Sequence, residues 1–178
     1  MTQFKTEQEA FWAGEFGDAY VARNRYDIAA TLAMFARILR HSHGIGSIFE
    51  LGCNIGQNLR ALRLLMPSAR ISGIEINKTA HAQAAADFPE VLNGSILDFD
   101  LAEAGEVDLV YTKGVLIHIA PDRLPEVYDR MAALGRRYVL MSEYYNPTPV
   151  AIDYRGHAER LFKRDFAGEF LDAHPEFR

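Results

Sequence analysis

The sequence predicts an α/β fold in which helices cover both faces of a parallel sheet, and three observations lead there. Short apolar runs of strand length alternate with helix-period segments along most of the chain. The connections between them are short, and repeated strand-then-helix order closes most simply as a parallel sheet. The 178 residues, 49% of them hydrophobic and 24% charged, suit one folded domain rather than two or a disordered chain.

The elements can be justified in order. From Tyr26 to Arg40, Ile28, Leu32, Phe35, Ile38 and Leu39 recur at helical spacing, with Asp27 near the start and Gly44 past the end. Ser47 to Leu51 reads as a strand, Asn58 to Met66 as a helix, Arg70 to Glu75 as a strand and Lys78 to Asp87 as an Ala-rich helix. A short strand at Glu90 to Asn93 and a buried one at Val107 to Thr112 follow. Asp122 to Leu134 is a helix with Leu124, Val127, Tyr128, Met131 and Leu134 inward, and Arg137 to Ser142 is a further strand. A last helix is expected from Glu159 to Ala173, with Pro175 stopping it and Phe177-Arg178 opening a further strand. Residues 1–178 form one domain, in which 1–46 are helical and 47–178 make the α/β core. In such sheets ligands bind beyond the carboxyl ends of the strands, where strand order reverses.

Charge and composition narrow the function. Nineteen Lys and Arg stand against 24 Asp and Glu, a formal charge of −5, so there is no broad basic excess for a nucleic-acid backbone. The single Cys53 cannot form an internal disulfide, and no Cys/His group has zinc-ligand spacing; a reducing cytoplasm and no metal are expected. The N-terminal residues lack the charged start and apolar run of a secretory leader, and no stretch has the length of a membrane span.

The chemistry gathers at the first strand's end, Glu50-Leu-Gly52-Cys53-Asn54-Ile-Gly56-Gln-Asn58, which feeds a helix. Gly52 and Gly56 permit positive φ and close backbone approach, Asn54 tolerates the left-handed region, and the helix start offers free N–H groups. A plain strand-to-helix turn also favours glycine. Glu75 closes the second strand 19 residues past Gly56, where a carboxylate can accept both ribose hydroxyls of a nucleoside. A dinucleotide fingerprint, as in an NAD-dependent dehydrogenase or epimerase, would need glycine where Asn54 and Gln57 stand. Glu50 beside the loop would repel a pyrophosphate but suit a ligand with an ammonium and a sulfonium. S-adenosylmethionine has both, and a ribose.

These residues, with Gly94-Ser95-Ile96-Leu-Asp98 and Val107-Asp-Leu-Val-Tyr-Thr-Lys-Gly-Val-Leu-Ile-His-Ile119, resemble the class I S-adenosylmethionine-dependent methyltransferases, whose sheet is Rossmann-like. More narrowly, Phe11-Trp-Ala-Gly-Glu-Phe-Gly-Asp-Ala-Tyr20, Lys113 to Ile119, Glu143-Tyr-Tyr-Asn-Pro-Thr-Pro149, Tyr154-Arg-Gly-His157 and Phe162 to Gly168 resemble methylases associated with pseudaminic acid biosynthesis. The resemblance implies methyl transfer to a small molecule, such as an anionic nucleotide sugar or a surface-glycan precursor, with S-adenosylhomocysteine as product. A non-catalytic cofactor-binding module is the alternative. The cofactor-binding candidates are Trp12, Tyr20, Glu50, Gly52, Cys53, Asn54, Gly56, Asn58, Glu75, Ile76, Ser95, Ile96 and Lys113. By the same resemblance, Gly52 and the Cys53 backbone line the methionine end, Glu50 holds its amino group through water, Glu75 binds ribose, and Ser95 and Ile96 bracket adenine. Ser95 departs from the family, many of whose members place Asp there to read the adenine amino group, and Asn54 departs from a glycine.

Methyl transfer from a sulfonium relies on alignment more than on acid or base help; if a base is needed, His118, Glu143 and His157 are the candidates in that order. His118 also reads as a loop histidine bonded to a carbonyl. Trp12, Phe16 and Tyr20 fall at four-residue spacing on one helix face, either as core or as a lid, and the resemblance favours the lid. Arg23 and Arg25 follow as solvated charges or as part of that closure. Arg155, His157, Arg160, Lys163 and Arg164 could receive an anionic substrate, but Glu159 and Asp165 among them favour an ordinary charged surface. The class usually has seven strands; here the sheet is expected to lack the sixth and seventh, leaving the fifth as an edge that invites self-association.

Overall fold

The computed structural model describes residues 4–24 and 26–177; Arg25 and Arg178 lie outside them. Three helices come first, α1 (Glu7–Ala13), α2 (Glu15–Arg23) and α3 (Ile28–Leu39). The core then alternates β1 (Ser47–Leu51), α4 (Gln57–Leu65), β2 (Arg70–Glu75), α5 (Lys78–Asp87), β3 (Leu92–Asn93), α6 (Leu101–Ala104), β4 (Val107–Lys113), α7 (Leu124–Leu134) and β5 (Gly135–Ser142). Two 3-10 turns, Leu116–His118 and Pro121–Arg123, join β4 to α7. The chain closes with β6 (Val150–Tyr154), β7 (His157–Lys163) and α8 (Phe166–Ala173).

Five strands pair in the order β3-β2-β1-β4-β5, all parallel. Strand order therefore reverses between β1 and β4, and the loops leaving their carboxyl ends flank a natural crevice. Alternation along β1 sends Ile48 to one face and Phe49 and Leu51 to the other. On one side Ile48 joins Phe35, Leu59, Leu62, Ile71 and Leu109 beneath α3, α4 and α5. On the other, Phe49 and Leu51 meet Val110, Leu116, Val127, Met131 and Phe170 beneath α7 and α8. At the opposite end of the sheet Asp108 accepts the N–H groups of Gly46 at 2.8 Å and Ser47 at 3.1 Å and pairs with Arg136. The Arg136 guanidinium and those N–H groups hold its carboxyl down to about 2.

Two expectations are corrected. The helix expected from Glu159 is instead β7 followed by α8, because Tyr154 pairs with His157 across a two-residue turn. Arg155 and Gly156 in that turn both take positive φ, 52° and 85°, the geometry that joins twisted antiparallel strands. Helix α8 starts only at Asp165, whose side chain accepts the Gly168 N–H at 2.9 Å. The main sheet does have five strands, but two further strands exist as this separate hairpin, and β5 pairs with β4 alone. The single N-terminal helix is also divided. Gly14 leaves helical geometry at φ −99°, ψ −156°, ending α1 and starting α2. Among the described residues no helix is long and apolar enough to cross a membrane.

Helix α4 offers a direct test of core dependence. Leu59 is fully buried, whereas Leu64 on the same helix is 67% exposed. Leu59→Ala should lower unfolding free energy by about 2–5 kcal/mol, and Leu64→Ala should stay within about 0.5 kcal/mol of wild type, both read by urea denaturation.

Candidate active site

The loop after β1 turns through Gly52 at φ +76° and Asn54 at φ +48° to Gly56, φ +78°, the N-cap of α4. A Cβ on Gly52 would come 2.8 Å from the Val115 side chain, so the turn needs glycine for space as well as conformation. The Gly52 and Cys53 N–H groups both donate to the Ile74 carbonyl, at 2.9 and 3.0 Å, tying this loop to β2. Asn54 stabilises its own turn, its side-chain oxygen accepting the Ile55 N–H at 2.9 Å and the Tyr26 hydroxyl at 3.2 Å.

Glu75, at the end of β2, is the anchor. Its Oε2 accepts the Asn54 N–H and its Oε1 the Asn77 N–H, each at 2.8 Å. The carboxylate thus joins the loops that follow β1 and β2, yet each oxygen keeps acceptor capacity towards the cavity. Burial pushes its carboxyl up, and the Asn77, Asn54 and Ile76 N–H groups oppose the shift.

Asn77, which sequence reasoning passed over, carries the network outward. Its side-chain oxygen caps α5 at Ala80, while its amide donates to the Trp12 carbonyl at 3.3 Å and to Asp18 at 3.0 Å. Gly17 makes that contact feasible: a Cβ there would fall 1.9 Å from the Trp12 carbonyl oxygen and 2.8 Å from the Asn77 amide. The N-terminal helices are thereby fixed over the carboxyl edge of the sheet. Trp12 meets Phe16 at 5.4 Å and Tyr20 at 5.2 Å between ring centres, so the aromatic face expected from the sequence survives the break at Gly14.

A cavity opens between this cover and the strand ends. Of the expected cofactor residues, Trp12, Tyr20, Gly52, Cys53, Asn54, Asn58, Glu75, Ile76, Ser95, Ile96 and Lys113 line it, as does His118. Glu50, Gly56, Glu143 and His157 do not. Gly56 instead packs against α5, where a Cβ would meet Ala84 at 3.3 Å. Glu50 lies fully buried one layer below, its Oε1 accepting the Asn58 amide at 2.6 Å. Glu143 is half-buried, with Oε1 accepting the Val115 N–H at 3.1 Å, which makes it a support for the loop after β4. His157 sits on the hairpin with its ring 4.9 Å from Phe11. Burial pushes the Cys53 thiol well up, as suits a packing residue rather than a nucleophile. The basic cluster also resolves into partners: Arg160 meets Glu7 at 3.1 Å and Arg164 meets Glu169 at 2.6 Å. Lys163 and Arg155 lie over the Tyr144 and Tyr154 rings.

His118 has a defined state. Its Nδ1 is 2.6 Å from the Arg160 carbonyl oxygen. A carbonyl carries no proton, so Nδ1 bears the hydrogen. Burial brings its pKa down to about 4, leaving a neutral ring whose Nε2 is an acceptor. The Trp12 and Tyr154 rings, 4.6 and 5.0 Å away, hold it in place.

Comparison with known proteins agrees with this geometry. A family model described as "Methyltransferase domain" matches residues 48–137. The chain belongs to the methyltransferase domain family. It is 31% identical over 101 residues to trans-aconitate 2-methyltransferase of Klebsiella pneumoniae (strain 342), a match spanning 54% of this chain and 39% of that enzyme. An S-adenosylmethionine-dependent methyltransferase from Clostridium acetobutylicum ATCC 824 shares the fold with a TM-score of 0.64 at 11% identity, over 89% of this chain and 85% of its own. The sugar N-methyltransferase KedS8 from Streptoalloteichus sp ATCC 53650 aligns with a TM-score of 0.57 at 21% identity, over 81% of this chain and 62% of its own.

The family's cofactor is S-adenosylmethionine, and the residues of this methyltransferase domain fit it. Glu75 presents acceptors where a ribose needs them, and Gly52 keeps its loop low enough for a ligand to lie across. Beneath the wall, the fully buried Glu50 lies beside the Tyr111 hydroxyl and the Lys113 charge, so it supports the floor of the cavity from below. A dehydrogenase site is set aside with the family assignment.

Burial pushes the Glu50 carboxyl up to about 7, against 4.5 for a free side chain, the Asn58 amide opposing the shift. Between those values the unfolded chain releases a proton that the folded chain keeps, so stability falls as pH rises from about 4.5 to 7 and then levels. Glu50→Gln should remove the Glu50 part of that fall, gaining on wild type by about 3 kcal/mol across the interval, measured by urea denaturation at several pH values in the absence of ligand.

Proposed function

We propose that this methyltransferase domain transfers the methyl group of S-adenosylmethionine to a small molecule, and the doubly anchored Glu75 at the strand-order reversal is the observation that carries the reading. Bound there, the cofactor supplies a methyl on a sulfonium, which is already electrophilic. The work left to the chain is to bind, align and exclude water. Gly52 and the Cys53 backbone admit the amino-acid tail, Glu75 receives the ribose hydroxyls, and Trp12 and Tyr20 close the cavity from above. His118 Nε2, unprotonated near neutrality, accepts a hydrogen bond from an acceptor hydroxyl or amine and so orients its lone pair towards the methyl.

The finer reading is an acceptor from nucleotide-sugar metabolism, such as pseudaminic acid biosynthesis. Its support is the set of sequence blocks from Phe11 to Gly168, joined by the fold likeness to a sugar N-methyltransferase. The partnered cations on the hairpin give no special support to an anionic acceptor.

Calorimetric titration with S-adenosylhomocysteine tests the cofactor site. Wild type should bind it, and Glu75→Ala should weaken binding at least about tenfold, with circular dichroism showing a retained fold. Equal binding by both proteins would contradict the assignment. Methyl transfer to a panel of sugar nucleotides then tests the acceptor class.

A further inference from the structure

We propose that Glu9, on the N-terminal helix α1, reads the base of the bound nucleoside and selects a purine with an exocyclic amino group; this deepens the cofactor reading above and rests on it. The strands run β1, β2, β3 across this half of the sheet. A ligand with its charged tail over Gly52 and its ribose on Glu75 must place its base beyond β2, against the loop that follows β3. Ser95, Ile96 and Leu97 line the cavity there, and Glu9 reaches the same end from above.

Two carboxylates line the cavity among the described residues, Glu75 at the ribose and Glu9 at the base. Glu9 is buried, 7% exposed, although it sits on a surface helix. Its Oε2 accepts the backbone N–H groups of Lys5 at 2.6 Å and Thr6 at 3.0 Å, and the Thr6 hydroxyl accepts the Glu9 N–H at 3.1 Å in return. Its Oε1 accepts a hydrogen bond from the Ser95 hydroxyl. Ser95 Oγ in turn accepts the Leu97 N–H at 2.9 Å. The Ser95 hydroxyl is therefore occupied as a tether, and the charged acceptor at this end is the carboxylate it holds. A carboxylate accepts about four hydrogen bonds; these three leave capacity on Oε1. An amino group can donate to it, whereas a 6-oxo group would set one acceptor against another. Lys5 Nζ, donating to the Leu97 carbonyl at 3.0 Å, fastens the start of α1 to the same loop.

Competition between two ligands tests this. Wild type should bind S-adenosylhomocysteine about 10- to 100-fold more tightly than its inosine counterpart, in which a carbonyl replaces the amino group. Glu9→Gln should abolish or reverse that preference, because with its oxygen held by the Lys5 and Thr6 N–H groups the amide turns its NH2 to the base, which suits a carbonyl rather than an amino group. Glutamine keeps the reciprocal N-terminal cap, so α1 should persist, as circular dichroism would verify. Glu9→Gln binding both ligands with the wild-type ratio would overturn the role of Glu9 while leaving the cofactor reading intact. A wild type that binds neither ligand would overturn the cofactor reading, and this assignment with it.

Discussion

A single carboxylate organises the carboxyl edge of this sheet. Glu75 ends β2 and takes one N–H from the loop after β1 and another from the loop after its own strand. The first bond draws Asn54 into the left-handed region; the second orients Asn77, which caps α5 and grips the Trp12 carbonyl and Asp18. Floor and cover of the cavity therefore depend on one buried charge, held in place by backbone donors that oppose its desolvation.

This arrangement links fold to function economically. The reversal of strand order makes a crevice for topological reasons, with no help from particular side chains. Glu75 then gives the crevice both a fixed shape and an acceptor for a ligand. Its polar surroundings are completed by helices that precede the sheet in sequence, so the cavity is walled jointly by α1 and the loop after β3. The neutral His118 also lines the cavity, supported by the hairpin through the Arg160 carbonyl.

Much of this was legible in the sequence. The strand boundaries at Ser47–Leu51 and Arg70–Glu75 are as the apolar runs predict, because both strands are buried on two faces and end at turn residues. The Gly52 loop and Glu75 were readable because their chemistry demands particular residue types. What escaped were features set by contacts distant in sequence. Glu50 and Glu143 are engaged by the Asn58 amide and by the Val115 N–H and do not line the cavity, which no local spacing reveals. The stretch from Glu159 reads as helix because its charges mask a strand, although Arg155-Gly156 is a turn signal. Glu9 was also discoverable: Thr6 followed three residues later by Glu9 is the pattern of a reciprocal helix cap. Its second partner, Ser95, is visible only in three dimensions.

Amide hydrogen exchange on the unliganded protein tests most directly whether Glu75 holds the two loops and the cover together. Replacing Glu75 by alanine should remove protection at the Asn54 and Asn77 amides together and loosen α1 and α2, while β1 and β4 amides keep theirs. Unchanged protection at Asn54 and Asn77 in that variant would contradict the account.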